Sequence, residues 1–363
     1  MTLDWSGGRK QGMELAPQGV LTHRRIAMVP PLAQSYACVV CHGPLNPLRR
    51  YRRDGARGRA VFGGAHVSRC AECLLVQVTP LPSATRLEEY YTQVYRSGGR
   101  HGAREADLST FPRDNLFYWH RGESVVDLVS PHLANPADHP LRVLDVGAGF
   151  GHTLAAVAER YPTASREALE ISDVCVAHLR ASGVTVHAET VEAWAESESR
   201  TASFSGGYDL IILSHVLEHV RDPRRVLTLL GSRLRPGGLL FLEVRHVPLE
   251  MLGKYPDHPW APRWDEPHLT FFSRSSLTYL VHMTGFAPVH HGAAGPAYRP
   301  ISALRYRTPP LRSVALRALS SPLVRFLRRR TVARPLQTFA AREPFYRSAP
   351  DGIWLRSLLR RPS

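Results

Sequence analysis

The stretch VLDVGAGFGHT, residues 143–153, decides the fold: an apolar run enters a turn with glycine at alternate positions, Gly147, Gly149 and Gly151. Glycine accepts positive φ and lets a ligand approach the backbone closely. A helix starting near His152 would present free N–H groups and the positive end of its dipole at that turn. The pattern points to a nucleotide-like cofactor, with a plain tight connection as the alternative.

Outward from this turn, short apolar runs alternate with amphipathic segments. LRVLDVG (141–147), REALEIS (166–172), VTVHA (184–188), YDLIILS (208–214) and LLFLEV (239–244) read as strands. TLAAVAERY (153–161), VCVAHLRASG (174–183) and DPRRVLTLLGSRLRPGG (222–238) read as the helices between them. Strands separated by crossover helices predict a parallel sheet. Pro236-Gly237-Gly238 is expected to stop a helix before the strand Leu239–Val244. HLTFFSRSSLTYLVHMTGF (268–286) reads as a strand or turn leading into a helix that Gly285 ends, and GIWLRSLL (352–359) as a final strand returning to the sheet.

The chain's 363 residues suit two domains or one large domain with additions. No stretch approaches the roughly 20 apolar residues of a membrane span, and the N-terminus lacks the apolar core of a secretory signal. A cytoplasmic location is therefore expected. Residues 301–363 hold fourteen arginines against Glu343 and Asp351, a net +12 out of +15 for the chain. The basicity thus belongs to one segment, and a nucleic-acid partner is not expected for the near-neutral remainder.

The spacing at the glycine turn narrows the cofactor. A dinucleotide fingerprint requires G-x-G-x-x-G, but His152 stands where the third glycine would fall. D-x-G-x-G-x-G, from Asp145 to Gly151, resembles motif I of the class I S-adenosylmethionine-dependent methyltransferases. YDLIILSHVLEHVRDP and LRPGGLLFLEV resemble that family's fourth strand with its loop and its fifth strand. The resemblance covers about 140–245. It implies an α/β fold with a Rossmann-like, mainly parallel sheet and flanking helices. It also implies S-adenosylmethionine as methyl donor, with Gly147, Gly149 and Gly151 lying against it and Asp145 near its ammonium group. Glu170 would accept hydrogen bonds from its ribose hydroxyls, with Ser214 in the same cofactor-binding set. Glu189 or Thr190 would fall near adenine, although HAETVEAW departs from the usual acidic pattern of that loop.

Cys38-x2-Cys41 and Cys70-x2-Cys73 form two knuckles, 28 residues apart. Two such pairs supply four thiolates to one structural Zn²⁺, with no open position for catalysis, although the spacer exceeds the usual length. Disulfides, or a site that no longer binds metal, are the alternatives. Cys175 reads as a buried small hydrophobe. RCAECLLVQVTPLP followed by LEEYYTQVY resembles the N-terminal zinc-binding module of the sugar C-methyltransferase-like subgroup. That likeness implies a small or glycan-linked hydroxyl acceptor, including a nucleotide-sugar. It also makes Tyr91 and Tyr95, four apart on one helical face, cleft-lining or packing residues.

Three histidines compete for the role of general base. His219 reads as part of the loop scaffold. His215 follows a strand at the carboxyl edge, where it would line the cofactor or substrate pocket. His268, in DEPHLTFFS, stands where the zinc-module relatives carry a candidate base, although Pro267 separates it from Glu266. The expected catalytic set is His268 with His215 and Tyr91.

The domain reading is a flexible arm (1–35), a zinc-binding module (36–80), a helical bridge (81–137), the methyltransferase domain (138–300) and an Arg-rich helical insertion with a final strand (301–363). Leu316, Leu319, Leu323 and Leu327 put a stripe on 311–330. This reads as a solvated helical insertion, an interfacial membrane helix or a phosphate-binding arm. Two other functions stay open. An RNA methyltransferase would use the module and tail, but no N-P-P-Y-like tetrapeptide follows IILS. A non-catalytic cofactor-binding protein would lack a usable base.

Overall fold

The computed structural model describes residues 36–51, 62–91, 116–133, 140–196, 207–247, 268–296, 346–348 and 352–362. The 1–35 arm, Tyr95, Glu266 and the 311–330 stripe lie outside the described residues.

Two sheets organise the chain. The smaller takes β1 (Leu45–Arg50), β2 (His66–Cys70), β3 (Val76–Thr79) and β9 (Thr270–Phe271) in that spatial order, all antiparallel. The larger uses β4 (Arg142–Val146), β5 (Ser165–Leu169), β6 (Thr185–His187), β7 (Tyr208–Ser214), β8 (Leu234–Arg245), β10 (Ala287–Pro296), β11 (Tyr346–Ser348) and β12 (Trp354–Arg360). Its order is β11-β10-β12-β8-β7-β4-β5-β6. β6, β5, β4, β7 and β8 run parallel, and β12 enters antiparallel between β8 and β10. The chain moves from β4 outward to β5 and β6, then returns to β7 on the other flank. That reversal beside β4 creates the crevice in which open α/β sheets bind ligands.

α1 (Ala84–Glu89) and α2 (Leu116–Val129) precede the main sheet, and α3 (His152–Arg160), α4 (Asp173–Ala181) and α5 (Val191–Glu196) follow β4, β5 and β6. α6 (Pro223–Arg233) links β7 to β8, and α7 (Arg274–Met283) links β9 to β10. The caps explain where two of them begin. Asp222 accepts from the Arg225 amide at 2.8 Å with Pro223 in the first turn, the arrangement that satisfies orphan donors. Ser273 and Ser276 form a reciprocal capping box on α7.

The central strands β4 and β7, the second half of β8 and strand β12 are buried on both faces, as apolar runs in a covered sheet require. One core cluster packs Leu144, Ile211, Leu213 and Leu242 with Phe272 and Leu277, and it also contains Cys38, Cys70, Cys73 and Leu75. The knuckles therefore share a core with the main sheet. The opposite face packs α2, α3 and α4 through Trp119, Val125, Leu154 and Leu179 against Ile212 and Phe241.

One expectation is corrected. Helix α6 already ends at Arg233, and Pro236-Gly237-Gly238 lies inside the twelve-residue strand β8. The register slips between Tyr208 and Leu210, and a Cβ at position 238 would meet the Tyr208 carbonyl at 2.8 Å. The glycines absorb a bulge instead of making a turn. No helix among the described residues is long and apolar enough to cross a membrane.

Candidate active site

The glycine turn sits at the carboxyl end of β4. Gly147, Gly149 and Gly151 have φ of +69°, +57° and +73°, a region costly for other residues. Their surroundings differ. A Cβ at 147 would strike Val216 and one at 151 would strike Leu179 at 2.5 Å, whereas one at 149 meets no atom of the described residues within 4 Å. Gly147 and Gly151 are thus held by packing, and Gly149 borders open space. Beside it, Glu170 is 3% exposed. Its Oε2 accepts from the Gly149 amide at 2.8 Å, and its Oε1 accepts from Ile171 and Ser172 at 2.9 and 2.8 Å. Three backbone amides aim the carboxylate. Asp145 is buried at the same end of β4, and burial pushes its pKa up to about 7, with Arg121 opposing and Glu170 adding. Glu189 is half-buried two residues past β6, and Thr190 caps α5 by accepting from the Ala193 amide at 3.2 Å.

Helix α2 reaches this edge because Gly122 lets it close on α3: a Cβ there would meet the His152 carbonyl at 2.9 Å. The approach carries Arg121 onto Glu243 of β8, with Nε and Nη2 donating to Oε1 at 2.8 and 2.6 Å. Arg121 also donates to Ser214, which donates to Glu243 at 3.0 Å. From β12, Arg356 Nε donates to Glu243 Oε2 at 2.6 Å. Glu243 is wholly buried. Although burial raises its pKa, the two guanidiniums and His215 bring it well below the usual carboxylate range. Arg121, Glu243 and Arg356 were not singled out in the sequence. An arginine inside the apolar YWHRGESVVDLV helix and a glutamate inside LLFLEV were the available signals.

His215 adopts φ +56° immediately after β7. Its Nδ1 lies 3.1 Å from Glu218 and its Nε2 3.3 Å from Glu243. Burial and Arg121 oppose protonation, but the two carboxylates outweigh them and raise its pKa. Both ring nitrogens thus face carboxylates. His215 stands at the carboxyl edge, between two buried carboxylates. Glu218 is 2% exposed; burial raises its pKa, yet His215, His219 and His268 bring it down to about 2. His268 is 2% exposed, with its ring 4.7 Å from that of His219. Tyr91 Oη lies 3.0 Å from His219 Nδ1. Tyr91 therefore joins His268 through His219, a residue read from sequence as scaffold, and not through His215.

The four cysteines meet. Cys38 and Cys73 Sγ are 3.5 Å apart, Cys41 and Cys70 Sγ 3.3 Å, and all four lie within 4.8 Å of one another. Sulfurs tetrahedral about Zn²⁺ at ~2.3 Å stand about 3.8 Å apart, so the donor set fits that ion. Val40, Gly43 and Glu72 amides each point at a knuckle sulfur at 3.4 Å, and His42 and Leu74 repeat one left-handed turn after each knuckle.

Comparison with known proteins places these features. The family described as Methyltransferase domain matches residues 118–291, just under half of the chain. The ubiquinone biosynthesis O-methyltransferase of Ralstonia nicotianae is 28% identical over 171 residues, covering 44% of this chain and 68% of that one. Its namesake from Idiomarina loihiensis is 31% identical over 143 residues, covering 38% and 57%. Among solved structures, the plantazolicin methyltransferase BpumL in complex with SAH aligns over 76% of this chain and 94% of its own, at 12% identity and TM-score 0.44. A SAM-dependent methyltransferase from Archaeoglobus fulgidus aligns over 66% and 92%, at 15% identity and TM-score 0.40. With the family match and the β6-β5-β4-β7-β8 parallel order behind it, the 118–291 region is a methyltransferase domain of the class I, S-adenosylmethionine-dependent kind.

Proposed function

We propose that the protein moves a methyl group from S-adenosylmethionine to a hydroxyl of a small acceptor. The observation that carries this reading is the pairing of Gly149, open where a side chain would stand, with a Glu170 carboxylate aimed by three amides. In this reading Glu170 holds the ribose hydroxyls, Asp145 faces the ammonium group, and Gly147, Gly149, Gly151 and Ser214 line the same crevice. Glu189 stands near adenine. The acceptor oxygen gives up its proton as its lone pair bonds the methyl carbon, and the C–S pair returns to sulfur, leaving S-adenosylhomocysteine. Alignment supplies most of the acceleration. The Tyr91–His219–His268 group handles the acceptor's proton, with His268 its buried member and His215 behind it, held between Glu218 and Glu243.

O-methylation of a small compound is supported by the names of the relatives. A nucleotide-sugar or other glycan-linked acceptor is a second reading, favoured by the four clustered cysteines, which we propose hold one structural Zn²⁺. Methylation assays with radiolabelled donor against phenolic, nucleotide-sugar and RNA acceptors separate these. Label confined to RNA would overturn the small-acceptor reading, and label in the nucleotide-sugar pool would establish the second.

A further inference from the structure

Glu218 and His219 leave β7 together, and His268 enters from the segment that becomes β9. A backbone tie, Leu269 N donating to Glu218 O at 2.8 Å, holds the two segments in place. The side chains bring one carboxylate oxygen and two imidazole nitrogens within 4.8 Å of one another. Glu218 Oε1 faces the His215 ring at 3.1 Å and the Arg245 amide at 3.4 Å, whereas Oε2 is buried and has no hydrogen-bond partner among the described residues. Leaving a charged oxygen buried without a donor is costly. Buried carboxylates are kept when they are paired or coordinate metals. The outer partners suit ligation too. Imidazole ligands are oriented by a hydrogen bond from the other ring nitrogen, and His219 Nδ1 has Tyr91 Oη at 3.0 Å.

We propose that Glu218, His219 and His268 form a divalent-cation site, separate from the cysteine cluster, that binds the acceptor's reacting oxygen. Two imidazoles and one carboxylate suit Mn²⁺, Fe²⁺, Co²⁺ or Zn²⁺ and leave positions open for an oxygen ligand. Tyr91 beside His219 then borders the acceptor. With the cation bound, His219 and His268 act on the proton through the ion instead of taking it up directly. The cation makes the hydroxyl more acidic, the proton passes to water, and the bond to the methyl carbon forms as the C–S pair returns to sulfur. This role rests on the methyltransferase reading; the binding of the ion does not.

Mn²⁺ is the discriminating probe, because soft thiolates disfavour it and oxygen and imidazole accept it. The full chain, purified with its zinc in place, is titrated with MnCl₂ and free Mn²⁺ is followed by electron paramagnetic resonance. One Mn²⁺ per chain is expected, lost in Glu218→Gln and in His268→Gln, with S-adenosylhomocysteine binding unchanged by calorimetry and folding checked by circular dichroism. His268→Gln keeps the buried carboxylate and its backbone tie, so it decides the matter if Glu218→Gln fails to fold. A wild-type chain that takes up no Mn²⁺, or uptake that persists in a folded variant, overturns the site. Absent S-adenosylhomocysteine binding in the wild type would overturn the methyltransferase reading and leave the Mn²⁺ result to stand by itself.

Discussion

Replacing Gly149 by valine separates the ligand's claim on the glycine turn from the fold's. The position has φ +57°, and no atom of the described residues lies within 4 Å of where a Cβ would stand. The fold therefore bears only the left-handed backbone cost, about 1–2 kcal/mol, or a melting temperature lower by roughly 2–8 °C for a domain of this size. The cofactor loses more. A branched side chain fills the space beside Glu170, and each charge-assisted hydrogen bond that the ligand then forgoes costs about 1.5–3 kcal/mol. With lost van der Waals contact added, S-adenosylhomocysteine affinity should fall by at least about a hundredfold, or ~2.7 kcal/mol. Gly151→Ala is the control. Its Cβ would press on Leu179 at 2.5 Å, adding about 1–3 kcal/mol of overpacking, so it should melt lower than Gly149→Val yet bind ligand better when folded. Calorimetry and thermal melts on both variants decide the matter. A folded Gly149→Val protein that binds within about tenfold of wild type, ~1.4 kcal/mol, would refute the reasoning.

Three further outcomes are expected. His268→Ala should lower kcat by about 10²- to 10⁴-fold with S-adenosylmethionine affinity unchanged; a loss below about tenfold on that scale would reduce the residue to orientation. Cys70→Ser should release zinc by elemental analysis and lower the melting temperature, because structural zinc contributes folding free energy and the knuckles share the core with Phe272 and Leu277; unchanged stability would remove the metal from the account. Asp145, protonated below its folded pKa of about 7, must ionise to face an ammonium group. Ligand affinity should therefore rise as pH climbs through about 7, and Asp145→Asn should flatten the profile. The unliganded fold should show the opposite sign, losing stability as pH rises from the unfolded carboxyl pKa to about 7.

The parallel sheet was legible because its strands carry apolar runs between helices with capping residues, and because β7 is buried along almost its whole length and β8 from Gly238 to Val244. The final strand was legible too, though not its position between β8 and β10, which is a matter of long-range pairing. β9 was illegible as a partner of β3: two residues carry no period, and the pairings Val76–Phe271 and Gln77–Thr270 make them a strand. That pairing makes the cysteine module structurally continuous with the segment carrying His268. The neighbourhood of Gly149 and Glu170 was implied by the family resemblance, which sets them at the ends of successive strands, β4 and β5. Those assembled from distant segments could not: Glu243 receives Arg121 from α2 and Arg356 from β12, and His219 receives Tyr91 from 128 residues away. The Pro-Gly-Gly triplet misled because turn chemistry also serves a bulge.

The central claim, that the crevice at β4 holds S-adenosylmethionine, is tested most directly by calorimetric titration of the wild-type chain and of Glu170→Ala with S-adenosylhomocysteine and with NAD. The account predicts one S-adenosylhomocysteine per chain, no response to NAD, and binding lost when the Glu170 carboxylate is removed. Saturable NAD binding with no response to S-adenosylhomocysteine would contradict it.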